Sequence, residues 1–146
     1  MPLKVELKPG ERVIVGRSVI RNGDQRTRFF VEGDAPILRE KDILTPASAT
    51  TPARLIYLSV QLMYLSESLD GQRPGYVALM RDFLAAAPSA GPLVDEINNC
   101  ILSGDLYKAL KAARQLIAYE EDLMTHATAG ERLREDRSSD AVPAGA

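Results

Sequence analysis

The sequence has 146 residues, of which 45% are hydrophobic and 26% charged, with a formal net charge of -2 and a pI of about 5.5. This composition is typical of a globular chain and excludes a disordered or fibrous one. The single cysteine, Cys100, excludes an intrachain disulfide, and no apolar run reaches the ~20 residues needed to span a bilayer. The opening MPLKVELKPG is charged from residue 4, unlike a signal peptide, so we expect a cytoplasmic protein without membrane contact.

Residues 3–40 alternate between apolar and polar in the manner of β-strands. LKVEL and RVIVG flank a Pro-Gly turn signal, KPGE. RSVIR and RTRFFVE flank Asn22-Gly23, which favours a tight hairpin because both residues accept positive φ. GDAP then leads into a short ILRE. The pattern predicts a four-strand antiparallel meander within a β module at 1–44.

From about residue 50 the apolar period becomes helical. Thr50 or Thr51 can cap a helix with Pro52 at its first position, and Asp105 can cap the last helix. The four predicted helices are 52–68, 76–87, 92–103 and 106–126. Residues 128–146 contain almost no large apolar side chains and are expected to be a disordered tail. The sequence therefore predicts an α+β fold, a small N-terminal antiparallel sheet followed by about four bundled helices at 45–127.

Four arginines are concentrated in RSVIRNGDQRTRFF, residues 17–30 of a chain that is acidic as a whole. Residues 1–31 hold seven basic and three acidic side chains, a local charge of +4. With an even-length turn, cross-strand pairing places all four on one face of a hairpin, namely Arg17, Arg21, Arg26 and Arg28. Such a face suits a polyanion, because guanidinium forks fit phosphate oxygens. An equally weighted alternative is a solvated face that protects the hairpin edge from aggregation.

The remaining chemistry-bearing residues give no case for an enzyme, a metal site or a cofactor. His126 has no cysteines or acids at metal-ligand spacing. Cys100 lies in a helical run without a nearby histidine, so we expect a buried or inert thiol. Phe29 and Phe30 resemble a base-stacking pair, but adjacent strand residues point to opposite faces, and at least one is expected in the core.

Several blocks of the sequence resemble the FlbT family of flagellum biosynthesis repressors, from residue 1 to roughly 125. They are MPLKVELKPGERVIVG, VIRNG, FFVEGDAPILREKDILTP and TPARLIYLSVQLMYL. The resemblance implies post-transcriptional control of flagellin, through the 5′ untranslated region of its mRNA and decay of the message. It also implies a small partner protein, FlaF. The sign of the regulation stays open.

A fainter similarity links the N-terminal part to the CsrA translational regulators. It rests on Leu7, Gly10, Glu11, Ile14 and Gly16, and on Ala35, Pro36, Arg39, Glu40 and Ile43. CsrA proteins are strand-exchanged β dimers that bind GGA-containing RNA loops, and the similarity implies an RNA contact for Arg39. Only two residues separate Pro36 from Arg39, far fewer than in CsrA.

We therefore expect an RNA-binding regulator in which the β module contacts the flagellin mRNA leader. Phosphates are assigned to Arg17, Arg21, Arg26 and Arg28, with Lys4, Lys8 and Arg12 as weaker contacts, and a base edge to Arg39. The rival hypothesis is a protein-interaction or chaperone-like factor whose helices bind FlaF or flagellin, so that effects on mRNA are indirect. A homodimer is expected because the small sheet has apolar residues on both faces.

Overall fold

The computed structural model describes residues 2–66, 71 and 73–145, with side chains up to His126. This part of the chain forms five strands followed by four α-helices, which confirms the predicted α+β class. The strands are β1 (Leu3–Leu7), β2 (Arg12–Val15), β3 (Ser18–Arg21), β4 (Thr27–Val31) and β5 (Ile37–Arg39). The helices are α1 (Pro52–Ser66), α2 (Arg73–Ala86), α3 (Gly91–Leu102) and α4 (Leu106–Gly145). Short 3-10 turns occupy Glu40–Asp42 and Pro88–Ala90.

The strands pair differently from the predicted meander. β1 pairs with β4 in a two-stranded ribbon, and β2 lies between β3 and β5 in a three-stranded sheet. Every pairing is antiparallel. The tight hairpin joins β2 to β3, where Val15 faces Ser18 across Gly16-Arg17. Gly16 has a φ of +62°, which a glycine adopts without steric cost.

Asn22-Gly23 is not a hairpin turn between paired strands, so that prediction is wrong. The Asn22 amide instead donates to three carbonyl oxygens, at 3.2 Å from Leu7, 2.8 Å from Lys8 and 2.8 Å from Gln25. Gly10 N also donates to Gly23 O at 3.0 Å. These bonds join the β1–β2 connection to the β3–β4 connection. The Asn22 side chain thus satisfies three backbone carbonyls, and the dipeptide does not form the tight hairpin turn that Asn-Gly favours.

A small core lies between the ribbon and the three-stranded sheet. Val5, Leu7 and Val13 are fully buried there, and Phe29 and Val31 pack against them. Because side chains alternate along a strand, Phe30 points away and is 62% exposed. The expectation that at least one of the two phenylalanines joins the core is confirmed. The ribbon covers one face of the three-stranded sheet.

The helices cover the opposite face of that sheet. Leu38 of β5 is buried in the helical core, and Ile14 of β2 packs against it. The helical core itself is built from apolar side chains of all four helices, including Ile56, Val60, Met63, Phe83, Val94, Ile97 and Leu116. The three-stranded sheet therefore lies between two apolar clusters, one shared with the ribbon and one shared with the helices.

Polar side chains of α1 form hydrogen bonds with the segment that connects the sheet to the helices. The Tyr64 hydroxyl accepts from Ile37 N and donates to Ile37 O, both at 3.0 Å. The Gln61 amide accepts from Leu44 N at 2.8 Å and donates to Leu44 O at 2.9 Å. These contacts satisfy backbone groups of β5 and of the following loop, which are only partly exposed to water.

The predicted helix starts lie within three residues of those observed, whereas the backbone of α4 continues well past its predicted end at 126. Thr51 Oγ1 accepts from Arg54 N at 3.3 Å at the start of α1, and Asp105 Oδ1 accepts from Lys108 N at 3.1 Å at the start of α4. Gly104, with a φ of +83°, separates α3 from α4. The backbone of α4 is helical to Gly145, but the side chains of 127–146 lie outside the described residues. The disordered tail at 128–146, like the domain limits, stays a prediction. No described helix is both long and apolar enough to cross a membrane.

Candidate nucleic-acid interface

The predicted arginine cluster is divided between the two sheets. Arg21 lies on β3 opposite Arg12, whereas Arg28 lies on β4 opposite Glu6. Arg17 occupies the β2–β3 turn, and Arg26 immediately precedes β4. The prediction that these arginines share one hairpin face is wrong, because β3 and β4 do not pair with each other. What remains is a set of smaller basic surfaces.

The outward face of the β1–β4 ribbon combines charge with an exposed aromatic ring. Lys4 pairs across the ribbon with Phe30, and Glu6 with Arg28. These four residues form what we call the ribbon face, on the side opposite Val5. Lys4 Nζ lies 3.3 Å from Glu6 Oε1. The charge of Lys4, one of the two cations on the ribbon face, is therefore partly neutralised.

Arg26 extends the ribbon face at one end. With Glu6, Thr27 and Arg28 it lines an open cavity of about 390 Å³. Arg26 and Arg28 thus lie close together, and a single acid, Glu6, is among the lining residues. The local charge on this part of the ribbon is positive, which suits a phosphate.

The ribbon face has the two elements used by proteins that bind single-stranded nucleic acid. Bases stack on exposed aromatic rings, and cations beside them contact the backbone. Phe30 of β4 provides the ring. Lys4 provides a cation directly opposite it on β1, and Arg28 provides a second cation two positions earlier on β4. The sequence indicated that one phenylalanine faces outward, but only the pairing of β1 with β4 shows that Phe30 lies among these cations.

The other predicted contacts are separated from this face. Lys8 is exposed in the β1–β2 turn, where its backbone N donates to Glu11 Oε1 at 2.8 Å. Arg12 Nε lies 3.5 Å from Glu40 Oε1. Because Arg12 faces Arg21, Glu40 reduces the repulsion between two like charges on adjacent strands.

Arg39, the residue implied by the CsrA similarity, joins the two sheets. Its guanidinium Nη2 donates to Lys4 O at 3.3 Å. The side chain also lines a cavity of about 440 Å³ between the strands and α4, together with Lys41, Tyr64 and Tyr107. One N–H donor of the Arg39 guanidinium is therefore bonded to the backbone of β1 at Lys4.

A second basic surface follows the contact between the strands and α4. Tyr107, Lys111 and Arg114 recur at helical spacing along α4 and line a cavity of about 410 Å³ with Lys41 and Tyr57. Lys111 Nζ lies 4.7 Å from the Tyr107 ring centre, and Arg114 is paired with Asp42. Burial raises the pKa of Tyr57, an effect that Arg114 partly opposes. Sequence reasoning missed this surface, although the spacing of 107, 111 and 114 places them on one helix face.

The described residues contain no group of three or more His, Cys, Asp or Glu side chains able to hold a metal ion. Cys100 is buried, as predicted, and its Sγ lies 3.8 Å from Glu96 Oε1. A thiol beside a carboxylate lacks the positive surroundings that activate cysteines.

Comparison with known proteins gives one consistent family. The model of the flagellar protein FlbT family matches residues 3–124. The chain is 60% identical over 124 residues to the probable flagellum biosynthesis repressor protein FlbT 1 of Bradyrhizobium diazoefficiens, covering 84% of this chain and 85% of that protein. Against the corresponding Rhodopseudomonas palustris protein, identity is 50% over 125 residues, covering 86% and 99%. Against the flagellum biosynthesis repressor protein FlbT of Caulobacter vibrioides it is 37% over 133 residues, covering 89% and 94%. No solved structure matches the chain.

Proposed function

Since this chain belongs to the FlbT family of flagellar proteins, we propose that it binds the 5′ untranslated region of flagellin mRNA and represses translation or promotes decay of the message. The names of its relatives, flagellum biosynthesis repressors, support a regulatory role in flagellar synthesis. The RNA target follows from the resemblance seen in the sequence. The protein acts in the cytoplasm, without a cofactor, as a regulator and not as an enzyme.

The observation that supports RNA binding most directly is the exposed ring of Phe30 on the ribbon face. A ring that is 62% exposed gains little from folding, whereas stacking of one base on such a ring contributes ~1–3 kcal/mol to binding. Lys4 lies directly opposite it on β1, and Arg28 lies two positions before it on β4. We assign phosphate contacts first to these two residues and to Arg26.

The other basic residues are placed to extend the path of a bound strand. The Arg39 guanidinium donates a hydrogen bond to Lys4 O, which holds β1 in position. Arg17, Arg21, Arg12 and Lys8 lie at the turns and strand ends of the β module. We expect these four to add long-range attraction that weakens with salt.

The test is binding of the purified protein to the flagellin leader RNA across a salt series. Phe30→Leu removes the ring but keeps an apolar side chain. The binding free energy should become less favourable by ~1–3 kcal/mol, and the slope of log affinity against log salt should not change. Arg28→Gln should flatten the plot of log affinity against log salt by roughly 0.7. Leu102→Ala, which removes an exposed apolar side chain from α3, and Arg81→Gln, which removes a cation from α2, are the controls.

Two results would contradict the proposal. One is a folded Phe30→Leu protein whose affinity for the leader equals that of the unchanged protein. The other is an equal effect of Arg28→Gln and Arg81→Gln, because general attraction by net charge would then explain the binding.

A second candidate function is favoured by the apolar surface of the helices. Leu62 on α1, Val77 on α2 and Leu102 on α3 are all substantially exposed. Exposed apolar surface marks sites of protein contact, so the chain would then be a partner of FlaF or flagellin with indirect effects on mRNA. Purified protein that binds no leader RNA until FlaF or flagellin is added would favour this function.

A further inference from the structure

An apolar groove lies on the helical part of the protein, away from the ribbon face. It is formed where the first turn of α1 and the last turns of α2 meet the middle of α4, and its volume is about 350 Å³. We call it the helical groove. Its lining residues are Pro52, Leu55, Leu79, Asp82, Phe83, Ala86, Ala87, Glu120, Leu123 and Met124.

The helical groove contains a buried carboxylate that is only half satisfied. Glu120 is 7% exposed. Its Oε2 accepts from Ala53 N at 2.9 Å, which satisfies a free N–H in the first turn of α1. Its Oε1 is buried and meets no donor among the residues that the structure describes. The nearest guanidinium along α1, that of Arg54, is paired with Glu121 at 2.8 Å.

A buried acceptor without a donor is costly, which makes Glu120 Oε1 a strong point of attachment for any group that supplies an N–H. The charge of the lining favours the same kind of occupant. Asp82 and Glu120 are acidic, and no lysine or arginine is among the lining residues that the structure describes. A basic side chain is therefore complementary to both carboxylates.

The lining of the groove includes several apolar side chains that are open to solvent. Leu55 is 40% exposed, and Leu123 and Met124 are exposed as well. These side chains form a strip alongside the more buried Phe83, with helices on each side. Amphipathic helices dock into such strips through apolar residues at i, i+3, i+4 and i+7.

We propose that the helical groove docks a basic amphipathic helix of a partner protein. Apolar side chains of that helix pack on Leu55, Phe83 and Leu123. One of its lysine or arginine side chains donates to Glu120 Oε1, which requires the buried carboxylate to turn towards the groove on binding. The inference goes beyond the proposed RNA function and uses none of the ribbon-face residues. The same chain thus has one surface for a nucleic acid and another for a protein.

The test uses the full-length protein and two synthetic helices of about four turns each. Both have leucines at i, i+3, i+4 and i+7, one with lysines and the other with glutamates at the polar positions. Fluorescence anisotropy should show binding of the leucine–lysine helix and none of the leucine–glutamate helix. Ala86→Phe fills the groove and should weaken binding about tenfold or more. Ala85→Phe, an exposed neighbour that does not line the groove, should leave it unchanged.

Glu120→Gln tests the carboxylate separately. The amide oxygen can still accept from Ala53 N, but the second position now offers a donor in place of an acceptor. Binding of the leucine–lysine helix should weaken while the thermal unfolding of the protein changes little. If Ala86→Phe unfolds the protein, Leu55→Asn replaces it. Ile20→Asn on β3 is then the control, because both side chains are 40% exposed and Ile20 does not line the groove.

Three outcomes would overturn the proposal. Equal losses in the groove variants and their controls would show that the helix binds elsewhere. Equal binding of the lysine and glutamate helices would remove the role of Glu120 and Asp82. Sedimentation in which Ala86→Phe, but not Ala85→Phe, converts a dimer to a monomer would assign the groove to a second copy of the chain. Leader RNA binding should be the same in every groove and control variant, so failure here is distinct from failure of the RNA proposal.

Discussion

At the scale of single residues, Asn22 shows what a motif can and cannot predict. The dipeptide Asn22-Gly23 correctly indicated a change of chain direction. The sequence could not show that the amide would reach Leu7 O and Lys8 O, fifteen and fourteen positions away. A contact of that kind depends on the pairing of β1 with β4, which no local pattern encodes.

Replacing this residue should separate the two connections that its side chain joins. Asn22→Ala should lower the free energy of unfolding by ~1–2 kcal/mol, since three carbonyls lose a protein donor but remain partly accessible to water. Asn22→Asp should be worse, because a carboxylate would face the carbonyl oxygens of Leu7, Lys8 and Gln25. Gln25→Ala, in the same loop, is the control. Urea unfolding measures all three, and an Asp variant as stable as the unchanged protein would contradict the bonding scheme.

Tyr76 makes a residue-scale prediction about pH. Its hydroxyl donates to Asn98 Oδ1, and burial raises the pKa of Tyr76 well above its ordinary value near 10. The folded protein therefore keeps this proton at a pH where the unfolded chain has lost it. The contribution to stability is complete below about pH 10 and is lost as the pH rises from there towards the folded-state pKa.

The variant Tyr76→Phe should be ~1 kcal/mol less stable at neutral pH, through loss of the hydrogen bond. Its free energy of unfolding should nevertheless fall less steeply above pH 10 than that of the unchanged protein. Chemical denaturation at a series of pH values measures both effects. Tyr107→Phe, a phenol that is 46% exposed, is the control, and parallel alkaline losses in the Tyr76 variant and the unchanged protein would contradict the assignment.

At the scale of elements, the sequence showed where strands and helices lie but not which strands pair. Alternation marked β1 to β4 but not the short β5, so four strands were predicted where five are observed. Caps at Thr51 and Asp105 marked two helix starts. Pairing failed because neighbours in sequence were assumed to pair, whereas β1 pairs with β4 across two intervening strands. The predicted face of four arginines depended on that assumption, and so it failed together with the pairing. Lys4, Phe30 and Arg28 meet only because of the long-range pairing.

The two candidate turns give opposite predictions for glycine replacement. Gly16, at a φ of +62°, has the Ala35 Cβ 3.7 Å from the position of an added Cβ, which is an ordinary contact. Gly16→Ala should therefore cost ~1–2 kcal/mol through backbone conformation alone. Gly23 has no positive φ and open space around it, so Gly23→Ala should change stability by less than about 0.5 kcal/mol. Thermal unfolding of the two variants decides which turn forms the hairpin, and the reverse order would restore the Asn22-Gly23 hairpin.

At the scale of the whole molecule, the structure changes the reason for expecting a homodimer. The sequence suggested that a second subunit covers one face of the sheet. In the structure the ribbon of the same chain covers that face with Val5 and Leu7, while the helices cover the other through Leu38. The homodimer stays a prediction, and any dimer surface would have to lie elsewhere. The strands and helices are instead joined within one chain through Gln61 and Tyr64.

This junction predicts that the β module and the helices unfold together. Gln61 is buried, and both ends of its amide bond to the backbone of Leu44. Gln61→Leu keeps the size of the side chain but leaves Leu44 N and O without partners, which should lower the free energy of unfolding by ~2–3 kcal/mol. Trypsin should then cut after Lys41 faster than in the unchanged protein, because the loop between β5 and α1 is released. Gln115→Leu, at an exposed position of α4, should change neither stability nor cleavage. Calorimetry should still give a single transition in the unchanged protein, and two separated transitions would show that the strands and the helices fold as independent units.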